Sequence, residues 1–257
     1  MDKEAVLRLK NLEVSLNEQK IVQGLDLSVH SGRITALVGE SGCGKTTASL
    51  AVMGLLSKKA KINWDIFELD GEPLKTVDKK KWNRIRGNQI SMIFQDSLDS
   101  LDPVFKLENQ IIEGILAHKN ISKKEAYRIG MEQLQLLQFD NPEAIMKSYP
   151  SELSGGMCQR VMIAIAVLMQ PKLLIADEPT TALDVTLQAE ILKQIYHLSR
   201  NSDMGVLFIT HDLGVVAEIA DDVYIMKNGK IIEAGTTKKI FERPENAYTK
   251  MLLKAMV

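Results

Sequence analysis

The feature that most constrains the fold is a short apolar segment followed directly by a glycine-rich loop. Residues 34–38 read ITALV, a run typical of a strand buried on both faces of a parallel sheet. Residues 39–46 read GESGCGKT, which fits the pattern G-x-x-x-x-G-K-[ST], and a helix-forming segment follows. Glycines in such a loop let backbone N–H groups point at phosphate oxygens. The sequence therefore predicts a strand, a phosphate-binding loop and a helix, in that order.

The side chains of this loop suit a nucleoside triphosphate. Lys45 is expected to reach the β- and γ-phosphates, and Thr46 is expected to bind Mg²⁺. The alternative, an ordinary glycine-rich turn, is disfavoured by the strand before the loop and the helix after it. The residues of this segment predicted to bind ATP are Gly39, Glu40, Ser41, Gly42, Cys43, Gly44, Lys45, Thr46 and Thr47.

A second apolar strand ends in two carboxylates. The segment LLIADE places Asp177 and Glu178 side by side at the strand end. Asp177 is predicted to hold Mg²⁺ through water, and Glu178 is predicted to orient or deprotonate an attacking water. Alone, this pattern could be a strand end with solvated carboxylates. Paired with the phosphate loop, it favours a catalytic interpretation.

Polar side chains also end two other strands. The segment GVLFITH ends at His211, and ISMIFQ ends at Gln95. Ligands bind at the carboxyl ends of parallel strands, so His211 is predicted to sense the γ-phosphate. Gln95 is predicted to contact Mg²⁺ or the attacking water. A structural histidine at a strand end is the alternative for His211.

The stretch ELSGGMCQR resembles a second phosphate site. Ser154, Gly155 and Gly156 precede a predicted helix that runs to about Gln170. The amides at the start of such a helix suit an anion. The chain has one lysine-bearing loop, however, and two such loops rarely address one phosphate from the same side. The simplest interpretation is that this helix faces the nucleotide of another subunit; the alternative is a capped helix with flexible glycines.

The order of strands and helices predicts an α/β fold with a mainly parallel sheet. We expect residues 1–257 to form a single domain. Its catalytic core and antiparallel β part would comprise about 1–95 and 160–257, and 96–159 would form an inserted helical subdomain. Asn228-Gly229 predicts a hairpin near the C-terminus.

Composition excludes several classes of protein. The net charge is −1, which does not predict nucleic-acid binding. Cys43 and Cys158 form no metal-ligand pattern and are expected to be reduced thiols. Cys43 lies at a helix start, where thiolates are favoured.

The longest apolar run, residues 161–169, is about half of the ~20 residues that a membrane span needs. No leader is evident. We therefore expect a non-secreted protein that does not itself cross a membrane.

Taken in order, these motifs resemble the ATPase subunit of an ABC transporter over nearly the whole chain. GESGCGKT resembles the Walker A loop, LSGGMCQR the family signature, LLIADE Walker B and TALD the D-loop. Gln95 corresponds to the Q-loop glutamine and His211 to the switch histidine. The resemblance implies a RecA-like core with an antiparallel N-terminal β subdomain and an inserted helical subdomain.

The resemblance also implies a head-to-tail dimer. Each ATP would lie between the Walker A loop of one subunit and the signature helix of the other. Glu178, His211 and Gln95 would be catalytic, and Asp184 would belong to the D-loop. Mg²⁺ would be held by Thr46, Gln95 and, through water, Asp177. The residues expected to contact the partner's nucleotide are Ser154, Gly155, Gly156 and Gln159.

One position departs from the family pattern. Many members place an aromatic residue in the N-terminal part to stack on adenine, and Leu16 stands at the roughly matching position. A weaker aliphatic contact with the base is expected there.

The family resemblance implies partners and a location. We expect a second ATPase subunit, paralogous to this one, two membrane permease subunits and an extracellular solute-binding protein. The complex would lie at the cytoplasmic face of the plasma membrane, with the helical subdomain docked on coupling helices of the permeases. No nucleic acid is expected.

Two longer segments indicate which branch of the family the chain resembles. QDSLDSLDPV and EPTTALDVTLQAEIL are similar to segments of peptide and nickel importers. Many peptide-type members carry a longer C-terminal tail, some with a cysteine cluster, whereas this sequence ends at Val257. Nickel import is therefore the expectation, with dipeptide or oligopeptide import as the alternative. A soluble non-transport ABC ATPase and a subunit that binds ATP without hydrolysing it are less favoured.

Overall fold

A computed structural model describes residues 4–74, 79–95, 100–180 and 184–255. The described strands are β1 (Ala5–Leu16), β2 (Gln19–His30), β3 (Ile34–Val38), β4 (Lys61–Asn63), β5 (Ile66–Leu69), β6 (Glu72–Pro73), β7 (Ile90–Ile93), β8 (Leu173–Asp177), β9 (Gly205–Thr210), β10 (Asp222–Lys227) and β11 (Lys230–Thr236). The described helices are α1 (Lys45–Val52), α2 (Lys79–Ile85), α3 (Leu107–Leu116), α4 (Lys123–Leu136), α5 (Pro142–Lys147), a 3₁₀ turn (Pro150–Glu152), α6 (Gly155–Val167), α7 (Val185–Arg200), α8 (Leu213–Ile219), α9 (Thr237–Glu242) and α10 (Ala247–Lys254).

The strands form two sheets, as the α/β prediction requires. The first is antiparallel, with the order β2-β1-β5-β6 and β4 paired to β1. The second has the order β11-β10-β3-β9-β8-β7. Its neighbours are parallel from β10 to β7, and β11 pairs antiparallel to β10 at the edge. The predicted mainly parallel core and antiparallel N-terminal part are both confirmed.

The predicted hairpin at Asn228-Gly229 joins β10 and β11. Both residues have positive φ, 48° for Asn228 and 81° for Gly229, as a type I′ turn needs. This turn places the edge hairpin next to the glycine-rich loop, because the N–H of Gly229 donates to the carbonyl of Cys43 at 2.9 Å.

The register of the second sheet brings four strand ends to one edge. Val38 at the end of β3 pairs with Thr210 at the end of β9. Asp177 at the end of β8 pairs with Ile209, and Ala176 pairs with Ile93 at the end of β7. The segments that follow these strands therefore start side by side. This common edge is where the predicted site residues meet.

Both faces of the second sheet are covered by apolar cores. Along β9, Leu207 and Ile209 pack in the cluster toward the first sheet, whereas Phe208 packs in the cluster toward the helical part. The alternation follows from the two-residue period of a strand. Burying each such side chain contributes about 1.5–3 kcal/mol, so the sheet is a rigid base for its loops.

The helices between β7 and β8 form the expected helical part. The predicted segment is 96–159, of which residues 96–99 lie outside the described ranges. Helix α6 runs through the predicted boundary and contacts β7, so one continuous helix belongs to both parts. It ends at Val167, earlier than the predicted end near Gln170, which has a positive φ of 52°. No helix within the described ranges combines the length and apolarity needed to cross a bilayer.

Candidate functional site

The glycine-rich loop is closed around the ammonium group of Lys45. This side chain is 4% exposed and begins α1. Its Nζ donates to the carbonyl oxygens of Gly39 at 2.7 Å and Glu40 at 3.0 Å. The buried positive charge is therefore held under the loop, within reach of an anion that the loop amides bind.

Two glycines of the loop are required by its packing. A Cβ at Gly39 would overlap the carbonyl oxygen of Met226 on β10. Gly44 has φ 110° at the start of α1, and a Cβ at this position would lie 3.0 Å from the carbonyl oxygen of Ile21. The loop can adopt this shape only because side chains are missing at both positions.

A cavity of about 480 Å³ opens over the loop. Its walls bring together residues from the four adjacent strand ends, as predicted for Gln95, Glu178 and His211. The described residues that line it are Val38, Gly39, Glu40, Ser41, Gly42, Gly44, Lys45, Thr46, Thr47, Gln95, Glu178, His211 and Leu252. Its position at the carboxyl edge of the sheet suits a phosphate-bearing ligand.

Asp177 lies beneath this cavity and is 2% exposed. Burial raises the pKa of its carboxyl group, the Thr46 and Ser49 hydroxyls oppose this, and the neighbouring Glu178 carboxylate adds to it. Within the described ranges, its Oδ1 is buried without a hydrogen-bond partner. A buried acceptor of this kind fits a cation or a cation-bound water.

Glu178 and His211 form a polar pair across two strand ends. His211 Nδ1 lies 3.2 Å from Glu178 Oε1. The Glu178 side chain is 14% exposed and that of His211 61%. Glu178 has a positive φ of 46°, uncommon for a residue with a side chain, and its N–H donates to the carbonyl of Ile209 at 2.9 Å. This backbone aims the carboxylate at the cavity rather than along the sheet.

The second glycine stretch begins α6 as predicted. Ser154 caps the helix, since its hydroxyl accepts from the N–H of Met157 at 3.3 Å. Gly155 is exposed, and a Cβ there would meet no atom within 4 Å among the described residues. A Cβ at Gly156 would overlap the Leu187 side chain of α7. Among the described residues there is therefore space for a side chain at Gly155, but not at Gly156.

Gln159 is placed differently from its prediction. The residue is 2% exposed, and its Nε2 donates to the carbonyl of Pro179 at 2.5 Å. A side chain buried inside its own chain does not offer the direct contact with a partner's nucleotide that we expected. The reason is packing: Gln159 lies on the side of α6 that covers the segment after β8.

Two other predicted residues lie away from the cavity wall. Leu16 ends β1 and pairs with Gln19, and it is not among the described lining residues, so its contact with a base stays a prediction. Asp184 caps α7 by accepting from the N–H of Leu187 at 3.0 Å. The other residues of the predicted D-loop, 181–183, lie outside the described ranges.

The helix start at Cys43 favours a thiolate, and the packing of this residue opposes it. The residue is 8% exposed, and burial raises the pKa of its thiol, although the nearby charge of Lys45 lowers it. Cys158 is fully buried, and burial raises its thiol pKa too. Desolvation outweighs the helix start at Cys43.

Sequence reasoning missed the C-terminal helix as part of the site. Leu252 of α10 lines the cavity although it follows the glycine-rich loop by about two hundred residues of chain. Tyr248, one turn earlier, is 7% exposed; burial first, and then Glu40, raises the pKa of its hydroxyl to about 12. The N–H groups of Glu245 and Asn246 donate to the Glu233 carboxylate at 2.7 and 3.1 Å and hold this helix against β11. No local motif signals such a contact.

Comparison with known proteins places this arrangement among ATP-binding cassettes. The family model described as "ABC transporter" matches residues 22–181. The chain is 46% identical over 253 residues to the oligopeptide transport ATP-binding protein AppD of Bacillus subtilis (strain 168), covering 96% of this chain and 77% of that protein. It is 44% identical over 255 residues to the dipeptide transport ATP-binding protein DppD of the same organism, covering 97% and 76%. It is 43% identical over 266 residues to the glutathione import ATP-binding protein GsiA of Escherichia coli (strain K12), covering 100% and 43%.

Solved structures share the fold at lower identity. The chain superposes on cbiO1 from Clostridium perfringens, part of the ABC transporter complex cbiONQ, with a TM-score of 0.79 and 24% identity over 99% of this chain and 100% of that one. It superposes on the ATP-binding cassette MJ0796, in a post-hydrolysis state bound to ADP and Pi, with a TM-score of 0.76 and 23% identity over 90% and 98%.

Proposed function

The chain belongs to the ABC transporter family and is an ATP hydrolase of that family, and on this premise we propose that it energises an importer of peptides. The relatives described above carry oligopeptide, dipeptide and glutathione transport in their names. They favour the alternative, peptide import, over our expectation of nickel or other ion transport. That expectation rested on where the given sequence ends, and none of the relatives described above carries nickel or ion transport in its name.

One observation carries the proposal for the site. The ends of four neighbouring strands converge on one cavity. The buried Lys45, the carboxylate of Glu178 and the imidazole of His211 line it together. Lys45 would bind the β- and γ-phosphates of ATP, and the loop amides would surround the remaining phosphate oxygens. The geometry suits positioning and charge stabilisation, which are the main tasks in phosphoryl transfer.

Glu178 is proposed as the base for the attacking water. Its carboxylate faces the cavity with 14% of the side chain exposed, so it can hold one water while most solvent is excluded. His211, at 3.2 Å from the carboxylate, would keep it oriented and contact the γ-phosphate. Gln95, which follows the neighbouring strand β7 and also lines the cavity, would orient the same water or the cation.

Oxygen ligands at the cavity fit Mg²⁺. Thr46 and Gln95 would hold it directly, and Asp177 through water, which would satisfy the buried Oδ1. Mg²⁺ would neutralise part of the negative charge on the bound phosphates. The protein's own part is to keep these oxygens fixed on rigid strand and helix ends.

A dimer would complete the site. Ser154 caps α6, and a Cβ at the exposed Gly155 would meet no described atom within 4 Å, which suits an anion brought by another subunit. We propose a head-to-tail pair of ATPase subunits; a paralogous second subunit is the finer version of this proposal.

The membrane partners would dock through the helical part. Val104 and Phe105, just before α3, are 73% and 53% exposed, and apolar side chains of this size suit a contact with permease subunits. We propose two permeases and an extracellular solute-binding protein, with this chain peripheral at the cytoplasmic face of the plasma membrane. A net charge of −1 gives no support to a ribosome- or DNA-linked ATPase.

Uptake by cells lacking this chain tests the substrate. We expect deletion to abolish uptake of labelled di- and oligopeptides, and re-expression of the wild-type chain to restore it. Re-expressed Glu178→Gln chain is the matched control and should not restore uptake. The affinity-tagged wild-type chain should co-purify with two permeases. Loss of nickel uptake with intact peptide uptake would overturn the peptide proposal.

A further inference from the structure

A hydrogen bond joins the second glycine stretch to the segment that bears Glu178. Gln159 lies on α6, five residues after Ser154, and its amide donates to the carbonyl of Pro179 at 2.5 Å. The glutamine is 2% exposed, so water does not compete for this bond. Because Pro179 directly follows Glu178, the bond acts on the backbone next to the proposed base.

The backbone at Glu178 is fixed from both sides. On one side its own N–H donates to the carbonyl of Ile209 on β9 at 2.9 Å. On the other side the carbonyl of the following residue, Pro179, accepts a hydrogen bond from the Gln159 amide. Between them Glu178 keeps a φ of 46°, a conformation that a side-chain-bearing residue holds only when its surroundings impose it.

We propose that Gln159 is a positioning residue that couples the start of α6 to Glu178 of the same chain. The inference rests on the proposed function, in which the start of α6 meets a nucleotide bound by the partner subunit. The nucleotide in one site would then help to set the base of the other site. Gln159 itself touches neither nucleotide.

The packing of α6 supports transmission over this distance. Ser154 and Gln159 are separated by about 7.5 Å along the axis of one continuous helix. Gly156 packs directly on Leu187 of α7, and the N–H of Leu187 is bound by Asp184 at the start of that helix. A shift at the exposed end of α6 therefore also moves Gln159, whose amide donates to the carbonyl of Pro179.

The test compares Gln159→Met with wild type in the full chain assembled with its partner subunits. Methionine keeps the length of the side chain but has no N–H donor. Gln159→Glu, which is nearly isosteric and puts an acceptor against the carbonyl, is the second variant. Ile163→Val, which trims one methyl from a fully buried residue of the same helix, controls for general loosening of α6. Steady-state ATP hydrolysis, the melting temperature and hydrogen exchange at the Glu178 amide are measured for each.

We expect Gln159→Met to lower kcat by about 10- to 100-fold, because small misplacements of a catalytic group cost this much. KM for ATP should change less than about threefold, since the glutamine does not contact the nucleotide. Exchange at the Glu178 amide should quicken in Gln159→Met and Gln159→Glu but not in Ile163→Val. ATP-induced dimerisation of Gln159→Met carrying Glu178→Gln should persist.

The outcomes separate this inference from the function on which it rests. A wild-type kcat and unchanged amide exchange in Gln159→Met, beside a wild-type enzyme whose turnover depends on Glu178, overturn the inference alone. So does a loss of kcat that Ile163→Val reproduces at the same melting temperature. If wild type and Glu178→Gln hydrolyse ATP equally, the proposed role of Glu178 is wrong and the inference falls with it.

Discussion

His211 Nδ1 lies 3.2 Å from Glu178 Oε1, although the two residues end different strands of the sheet. The pair exists because β8 and β9 are parallel neighbours whose ends are level, with Asp177 opposite Ile209. A carboxylate oriented in this way at a cavity wall is suited to activating water.

The first prediction concerns the carboxylate of this pair. Glu178→Gln should lower ATP turnover by about 10²–10⁴-fold, because the amide keeps the shape but cannot accept a proton. ATP affinity and ATP-induced dimerisation should remain, since Lys45 and the loop are unchanged. Single-turnover hydrolysis and equilibrium nucleotide binding check the two halves. Full activity of this variant in the assembled transporter would sink the assignment.

Local motifs were enough to predict the parts of the site that lie on strand ends. Lys45, Glu178 and His211 each follow a buried apolar run, and parallel pairing brings the ends of such runs to one edge. The strand, the loop and the helix around Lys45 are encoded within about twenty consecutive residues. For these residues, the sequence pattern around each one is sufficient to predict where it lies in the fold.

The features that the sequence did not predict depend on packing between distant segments. Gln159 is turned inward because α6 covers the segment after β8, and Leu252 reaches the cavity because α10 packs against the apolar cluster formed with β3 and β10. The raised thiol pKa of Cys43 has the same origin, since Cys43 belongs to an apolar core cluster whose members come from distant segments. A pattern of residue types along one segment contains no measure of such burial.

The second prediction concerns the buried carboxylate beneath the cavity. Burial raises the pKa of Asp177 above 3.8, so the folded state holds this proton to higher pH than the unfolded chain does. The contribution of this group to stability is full below the ordinary pKa and is lost as pH rises through the raised value. Asp177→Asn should therefore be more stable than wild type at neutral pH, by about 1.4 kcal/mol for each unit of pKa shift.

Urea unfolding at about pH 4 and about pH 7 measures this difference. The advantage of Asp177→Asn should be larger at the higher pH, while Mg²⁺-dependent ATP hydrolysis is strongly reduced. Asp65→Asn, at an exposed position, is the control and should change neither property. An advantage that shrinks as pH rises would contradict the assigned cause.

The third prediction concerns the C-terminal helix. Leu252→Ala should weaken ATP binding about fivefold, because the half-buried leucine lines the cavity and truncation removes roughly 1 kcal/mol of apolar contact. The neighbouring Met251 is 52% exposed and does not line the cavity, so Met251→Ala is the matched control. Equilibrium binding of a fluorescent ATP analogue distinguishes them, and equal affinities for both variants would rule out a contact between Leu252 and nucleotide.

The fourth prediction separates the two glycines at the start of α6. A Cβ at Gly155 meets no described atom within 4 Å, so Gly155→Ala should fold normally and gain up to about 1 kcal/mol of helix stability. A Cβ at Gly156 overlaps Leu187, so Gly156→Ala should lower the melting temperature.

If the space before Gly155 receives a nucleotide from the partner subunit, Gly155→Ala should bind ATP as tightly as wild type yet lose most hydrolysis in the assembled dimer. The added methyl would then occupy room that the single chain leaves open and the dimer uses. Thermal melting, equilibrium ATP binding and steady-state hydrolysis of both variants provide the comparison. Wild-type hydrolysis by a stable Gly155→Ala dimer would show that this end of α6 does not approach the partner's nucleotide closely.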